Sequence, residues 1–124
     1  MTAVIDASAV LLWLQDEPGS DEAERWLMGG VIGAANWSEV LQKVRQHGAA
    51  PDVVAQLLAT FGLRVEPVSR EDGERAALLW TAGAPLSLGD RLCLALGLRL
   101  DAAVATADVA WKSVVNGPRV IQLR

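Results

Sequence analysis

The chain has one cysteine, Cys93, and one histidine, His47, among 124 residues. A lone cysteine forms no internal disulfide, so a reducing compartment, the cytoplasm, is the expected setting. A histidine-based metal site, a zinc cluster or a Cys-His dyad would have to rely on these two side chains. Nothing in their surroundings supports that. Neither GxGxxG nor GxxxxGKS/T occurs, so the glycine loops that cradle phosphates are not indicated. No apolar run reaches the ~18 residues a membrane helix needs. The start, "MTAVIDASAV", has no basic leader and carries Asp6 inside its apolar stretch, so no signal peptide is expected. Internal repeats, low-complexity segments and linkers are also missing, which makes residues 1–124 one expected domain.

What is present is apolar. Hydrophobic residues make up 52% of the chain, slightly above the usual globular share, and charged residues 21%. This length and composition suffice for a buried core without disulfide or metal staples, and they argue against disorder. A sheet covered on both faces, or a partner-binding surface, accounts for the apolar excess. The net charge of −4 comes from 15 acidic and 11 basic side chains. Phosphate repels an acidic surface, which argues weakly against nucleic acid. Four acids engaged by metal would bring the two signs level, so RNA and DNA stay open. With histidine and cysteine scarce, carboxylates are the remaining plausible chemistry, and oxygen-only sites favour Mg²⁺ or Mn²⁺.

Strand and helix signals alternate. "AVID", "VIGA", "LRVEPV", "AAVAT" and "RVIQL" read as short strands. "SAVLLWLQ", "SDEAERWLMGG", "NWSEVLQKVRQHG" with an Asn cap, "PDVVAQLLATFG", "SREDGERAALLWTAG" with a Ser cap, "LSLGDRLCLALGL" and "DVAWKSV" read as helices. The alternation predicts an α/β fold, a mainly parallel β-sheet flanked by helices on both faces. The five tryptophans fall in helical stretches and are expected to fill core, as is Cys93.

Ligands bind beyond the carboxyl ends of parallel strands. Asp6 closes the first strand, and Asp108 follows "AVAT". Glu39 and Asp90 fall in the first turns of helices. Each of these acids also has a capping reading. Asp6 and Asp108 stand where caps stand, Asn36 to Glu39 has the N-x-x-E pattern of a capping box, and Ser87 to Asp90 has S-x-x-D. Asp90 strains that reading most, because its helix is apolar nearly all round and an ionised carboxylate is costly to bury unpaired. Arg91 could pair with it or point towards a phosphate. Lys43 and His47 follow Glu39 at i+4 and i+8, a path for an RNA backbone or simply a solvated face.

"VIDASAVL", "SEV", "LSLGDRLCLALG" and "ATAD" together resemble the motifs of PIN-domain nucleases, and more narrowly the VapC-type toxins of toxin–antitoxin pairs. The resemblance runs the whole length. It implies an RNA-cutting enzyme with Mg²⁺ or Mn²⁺ held by Asp6, Glu39, Asp90 and Asp108, and products with 5′-phosphate and 3′-hydroxyl ends. Ser8 and Thr106 match the small hydroxyl positions beside the first and last acids. Val109 departs from the pattern, since many members carry a basic residue there. The resemblance also implies a cognate antitoxin that covers the acidic site, and a homodimer. "VLLWL" and "WLMGG" are where those contacts are expected. The alternative is a catalytically silent PIN-like module that binds RNA or protein and uses the acids as caps. A response-regulator receiver is not supported. Asp52 is not at a strand end, and no lysine lies between Lys43 and Lys112.

Overall fold

A computed structural model describes residues 2–114 and 116–124. Five strands form one sheet in the order β3-β2-β1-β4-β5. They are β1 (Val4–Ile5), β2 (Val31–Gly33), β3 (Arg64–Glu66), β4 (Val104–Thr106) and β5 (Val120–Gln122). Every pairing is parallel. Six α-helices connect them: α1 (Ala7–Leu14), α2 (Ser20–Leu27), α3 (Ala34–Gln46), α4 (Pro51–Thr60), α5 (Arg70–Leu78) and α6 (Leu88–Leu100). A short 3₁₀ helix spans Val109–Ser113. The α/β reading of the sequence therefore holds.

The three central strands, β1, β2 and β4, are buried on both faces, and the edge strands β3 and β5 are partly exposed. Val4, Val31 and Val104 lie in register and share one apolar cluster with Cys93, Leu94 and Leu96 of α6 and with Trp111. The next residues, Ile5, Ile32 and Ala105, face the other side. There they pack with Val10 and Leu12 of α1, Leu27 of α2, Val40 and Val44 of α3 and Leu58 of α4. This period of two puts successive side chains into separate layers. Fully burying one such Leu, Ile or Val contributes roughly 1.5–3 kcal/mol.

Local signals set most helix starts. Pro51 opens α4, where its missing N–H leaves nothing unpaired. Ser69 with Asp72 and Ser87 with Asp90 form two reciprocal capping boxes at α5 and α6. The start of α3 differs from expectation. It begins at Ala34, with Gly33 as its cap, so Asn36 lies inside the helix and caps nothing. Trp80 also departs: α5 ends at Leu78, and Trp80 beyond it is 63% exposed. In α6 only residues 93 to 97 are fully buried, and Leu88 in the first turn is exposed.

β1 lies at the sheet's centre. The chain builds outward from it to β2 and β3, then crosses back to place β4 on its other side. The carboxyl ends of β1 and β4 therefore flank the point where the strand order reverses, the usual ligand crevice of open parallel sheets.

Candidate active site

Asp6 leaves the end of β1 and is anchored to β4 by its own backbone, Asp6 N–H donating to the Ala105 carbonyl at 2.9 Å. It occupies the N-cap position of α1 but makes no side-chain capping bond. Its Oδ2 instead accepts hydrogen bonds from the Ser8 hydroxyl and, at 2.9 Å, from the Thr106 hydroxyl. Each hydroxyl is oriented by a backbone donor. Ala107 N–H donates to Ser8 Oγ and Asp108 N–H to Thr106 Oγ1, both at 3.0 Å. Each hydroxyl's single proton is therefore directed at Asp6, and their oxygens lie 3.1 Å apart without a proton left to share.

Asp108 caps the 3₁₀ helix by accepting from Ala110 N–H at 2.9 Å. Its main chain is fixed by Gln122 of β5, which donates to the Asp108 carbonyl at 2.8 Å. Asp90 Oδ2 accepts from Ser87 N–H at 2.9 Å, while Ser87 Oγ accepts from Asp90 N–H at 3.1 Å. Glu39 sits on α3, facing the start of α6. Its Oε1 accepts from the Asn36 amide at 3.0 Å. The same amide donates to the Gly89 carbonyl at 3.2 Å. In each carboxylate these bonds engage one oxygen and leave the other free.

The four acids act on one another electrostatically. Burial pushes the Asp6 carboxyl up to about 6, and the charges of Asp90 and Glu39 add to this against the pull of its two hydroxyl partners. Burial also raises Glu39 and Asp90. The Asp90 charge pushes Glu39 further, and the Asp108 charge pushes Asp90. These upward shifts come first from burial, repulsion among the acids adds to them, and Lys43 and Arg91 offset part of that repulsion at Glu39 and Asp90. Cys93 lies below the site with its thiol raised well above the ordinary value, chiefly by burial, so it is an inert core residue.

The donor set is oxygen-only, which suits a hard divalent cation. Among the described residues, however, no three Asp, Glu, His or Cys side chains are close enough to form a ready-made metal cage. An ion that keeps much of its water and takes only one or two carboxylates, as Mg²⁺ commonly does, needs no such cage.

The remaining residues singled out in the sequence stand along the second half of α3 and on α6. Lys43 and His47 are exposed on α3 beyond Glu39, and His47 Nδ1 hydrogen-bonds the Lys43 carbonyl at 2.8 Å. Arg91 turns to α5 and donates to the Ala76 carbonyl at 2.9 Å. Two further residues, Asn36 and Gly89, belong to the site geometry. Asn36 looked like a helix cap in sequence, and the bond it makes across 53 residues has no local signal.

An all-parallel sheet with carboxylates gathered at its reversal point defines a class of acidic-site α/β proteins. Within that class, the PIN domain family model matches residues 3–116, and the chain belongs to this family. No protein of curated function matches it in sequence. Among solved structures it is similar to a toxin–antitoxin complex from Klebsiella pneumoniae, with 18% identity, a TM-score of 0.79 and 98% of each chain covered. VapBC2 from Rickettsia felis, bound to a promoter DNA fragment, has 14% identity and a TM-score of 0.74 over 98% of each chain. VapC20 of Mycobacterium tuberculosis, named as a sarcin-ricin loop cleaving toxin, has 15% identity and a TM-score of 0.71 over 93% of this chain and 97% of that one. At these identities the likeness is one of fold.

Proposed function

We propose that this PIN domain is a metal-dependent endoribonuclease and the toxin of a type II toxin–antitoxin pair. The observation that carries the proposal is the set of four interacting carboxylates, Asp6 and Asp108 beyond β1 and β4 and Glu39 and Asp90 on α3 and α6, with Asp6 buried. A site that only capped helices would not leave buried Asp6 at the N-cap of α1 without a side-chain capping bond. The toxin–antitoxin character of the similar structures supports the same reading.

In this proposal Asp6, Asp90 and Asp108 hold Mg²⁺ or Mn²⁺, with Glu39 as a ligand directly or through water. The ion, when bound, supplies positive charge towards the phosphodiester and lowers the pKa of a coordinated water. The chain's own residues set the stage. Ser8 and Thr106 fix the rotamer of Asp6, Ser87 fixes that of Asp90, and Ala110 N–H fixes that of Asp108. Lys43 and His47 extend the site along α3 as contacts for the RNA backbone. Arg91, bound to the Ala76 carbonyl, contributes by joining α6 to α5. A cognate antitoxin and a second copy of the chain are the proposed protein partners. A groove of about 240 Å³ between α1, α3 and α4, lined by Leu11, Leu14, Val44 and Val54, offers apolar surface next to Lys43 and His47.

RNA cleavage with Mg²⁺ or Mn²⁺, with and without chelator, tests this for wild type and Asp90→Asn. Cutting that survives in chelator, or in the variant, contradicts it. A second reading, a silent binding module, draws on the capping bonds of Asp90 and Asp108 and on the absence of a closed cage among the described residues. Melting in the presence of metal separates the two. A metal site raises the melting temperature, and Asp6→Asn with Asp90→Asn abolishes that rise. If the acids only cap helices, melting has no metal dependence.

A further inference from the structure

Asp6 and Asp108 follow β1 and β4, whereas Glu39 and Asp90 stand on the helices α3 and α6, so something must seat the Glu39 carboxylate against the start of α6. Two features do this. Asn36 is 1% exposed and stands one helical turn before Glu39. Its amide bridges Glu39 Oε1 and the Gly89 carbonyl, linking α3 to the residue beside Asp90. Its own Oδ1 is buried and has no hydrogen-bond partner among the described residues. Burying an unpaired polar atom is unfavourable, so an apolar side chain would serve packing better, and the donor side is what this position uses.

The second feature is the absence of a side chain at position 89. A Cβ there would lie 2.7 Å from Glu39 Oε1 and 3.3 Å from its Cδ. Gly89 has no left-handed backbone that would require glycine, and glycine is a poor helix former next to alanine. Clearance for Glu39 is therefore the reason for glycine at this point. Gly73 in α5 provides the contrast, since a Cβ there would meet nothing within 4 Å.

We propose that Asn36 and Gly89 are a positioning pair that seats the Glu39 carboxylate against the first turn of α6, beside Asp90. Metal binding and RNA cleavage then depend on both residues through Glu39. The proposal rests on the nuclease reading and deepens it. Asn36 supplies the directed donor, and Gly89 supplies the space.

The test compares wild type with Gly89→Ala, Asn36→Ala, Gly73→Ala, Glu39→Ala and the double variant Gly89→Ala/Glu39→Ala. Three quantities are measured: melting temperature in chelator, the Mn²⁺ dependence of melting, and kcat/KM for RNA cleavage. Gly89→Ala is expected to melt in chelator no lower than wild type, because only the flexible end of Glu39 must move. Its Mn²⁺ affinity and kcat/KM should fall by about 10–100-fold, the range for groups that orient metal ligands. Gly73→Ala should cut like wild type. The double variant should be no worse than Glu39→Ala alone, because a residue that acts through Glu39 has nothing left to act on. Gly89→Ala binding Mn²⁺ and cutting like wild type overturns the proposal. A double variant weaker than Glu39→Ala by the full single-site factor does the same. If Asn36→Ala does not fold, the Gly89 series still decides. If Glu39→Ala and Asp6→Asn both retain full Mn²⁺ binding and cutting, the nuclease reading itself has failed, a pattern distinct from loss of the positioning claim alone.

Discussion

Asp6→Asn should stabilise the metal-free protein at neutral pH while removing its activity. In the folded chain the Asp6 carboxyl is raised from 3.8 to about 6, first by burial and then by the charges of Asp90 and Glu39. A folded pKa above the unfolded one means that the folded state keeps a proton which the unfolded chain has already released. Stability from this group is fully present below the unfolded value and is lost as pH rises through the folded value. At about 1.4 kcal/mol per pKa unit the loss is roughly 3 kcal/mol between pH 4 and pH 7. Asparagine carries no charge to desolvate, and its carbonyl oxygen still accepts from Ser8 and Thr106. In chelator at pH 7.5, urea or thermal unfolding should therefore show Asp6→Asn more stable by up to about 3 kcal/mol, on the order of 10 °C. At pH 4 the gap should close. Mn²⁺ should raise the melting temperature of wild type and leave the variant unmoved. A variant that melts at or below wild type at pH 7.5, with no pH-dependent gap, refutes the claim that Asp6 is a strained buried carboxylate.

Other substitutions separate stability from the site. Gly97→Ala should destabilise by about 1–3 kcal/mol in urea unfolding, because its Cβ would lie 2.6 Å from Val104 Cγ2 and 3.2 Å from the Ala102 carbonyl where α6 meets β4. Ser87→Ala removes the hydroxyl that accepts from Asp90 N–H, at a cost of about 1 kcal/mol in urea unfolding, while the Ser87 N–H bond to Asp90 Oδ2 stays in place, so stability should fall more than Mn²⁺ affinity. Asp72→Asn weakens the ion pair with Arg99, whose Nε lies 2.8 Å from Asp72 Oδ1, and should cost about 1–3 kcal/mol with cleavage intact. Hydrogen bonds from Arg99 and Ser69 outweigh burial and hold the Asp72 carboxyl below its ordinary value. Its contribution should therefore be present at neutral pH and lost on acidification, opposite in sign to that of Asp6.

The alternation of elements was legible because each strand is a short apolar run between turn residues and most helices announce their starts. Ser69, Ser87 and Pro51 all mark observed first turns. The start of α3 was misread because Asn36 looks like a better cap than Gly33. Local chemistry could not reveal that the Asn36 amide is taken up by Glu39 and Gly89. The fate of Trp80 turned on where α5 ends, which its apolar pattern does not mark. For the site, acids at strand ends were legible as candidates, and the folded chain brings Asp6, Glu39, Asp90 and Asp108 within electrostatic reach of one another. The capping reading was also correct in part. Asp90 and Asp108 each accept a capping hydrogen bond on one oxygen. A carboxylate that caps is an oriented carboxylate, so the two roles support each other. The Asn36–Gly89 device was invisible because it is a contact between distant segments and an absent side chain.

The central claim is that this chain cuts RNA with a metal held by its carboxylates. Mapping of RNA 5′ ends after controlled expression of wild type and Asp6→Asn, repeated on purified RNA with Mn²⁺ and with chelator, tests it most directly. Wild type should yield discrete new 5′-phosphate ends, reproduced in vitro only with metal and absent with the variant. No new ends with wild type, or the same ends with Asp6→Asn or in chelator, would contradict it.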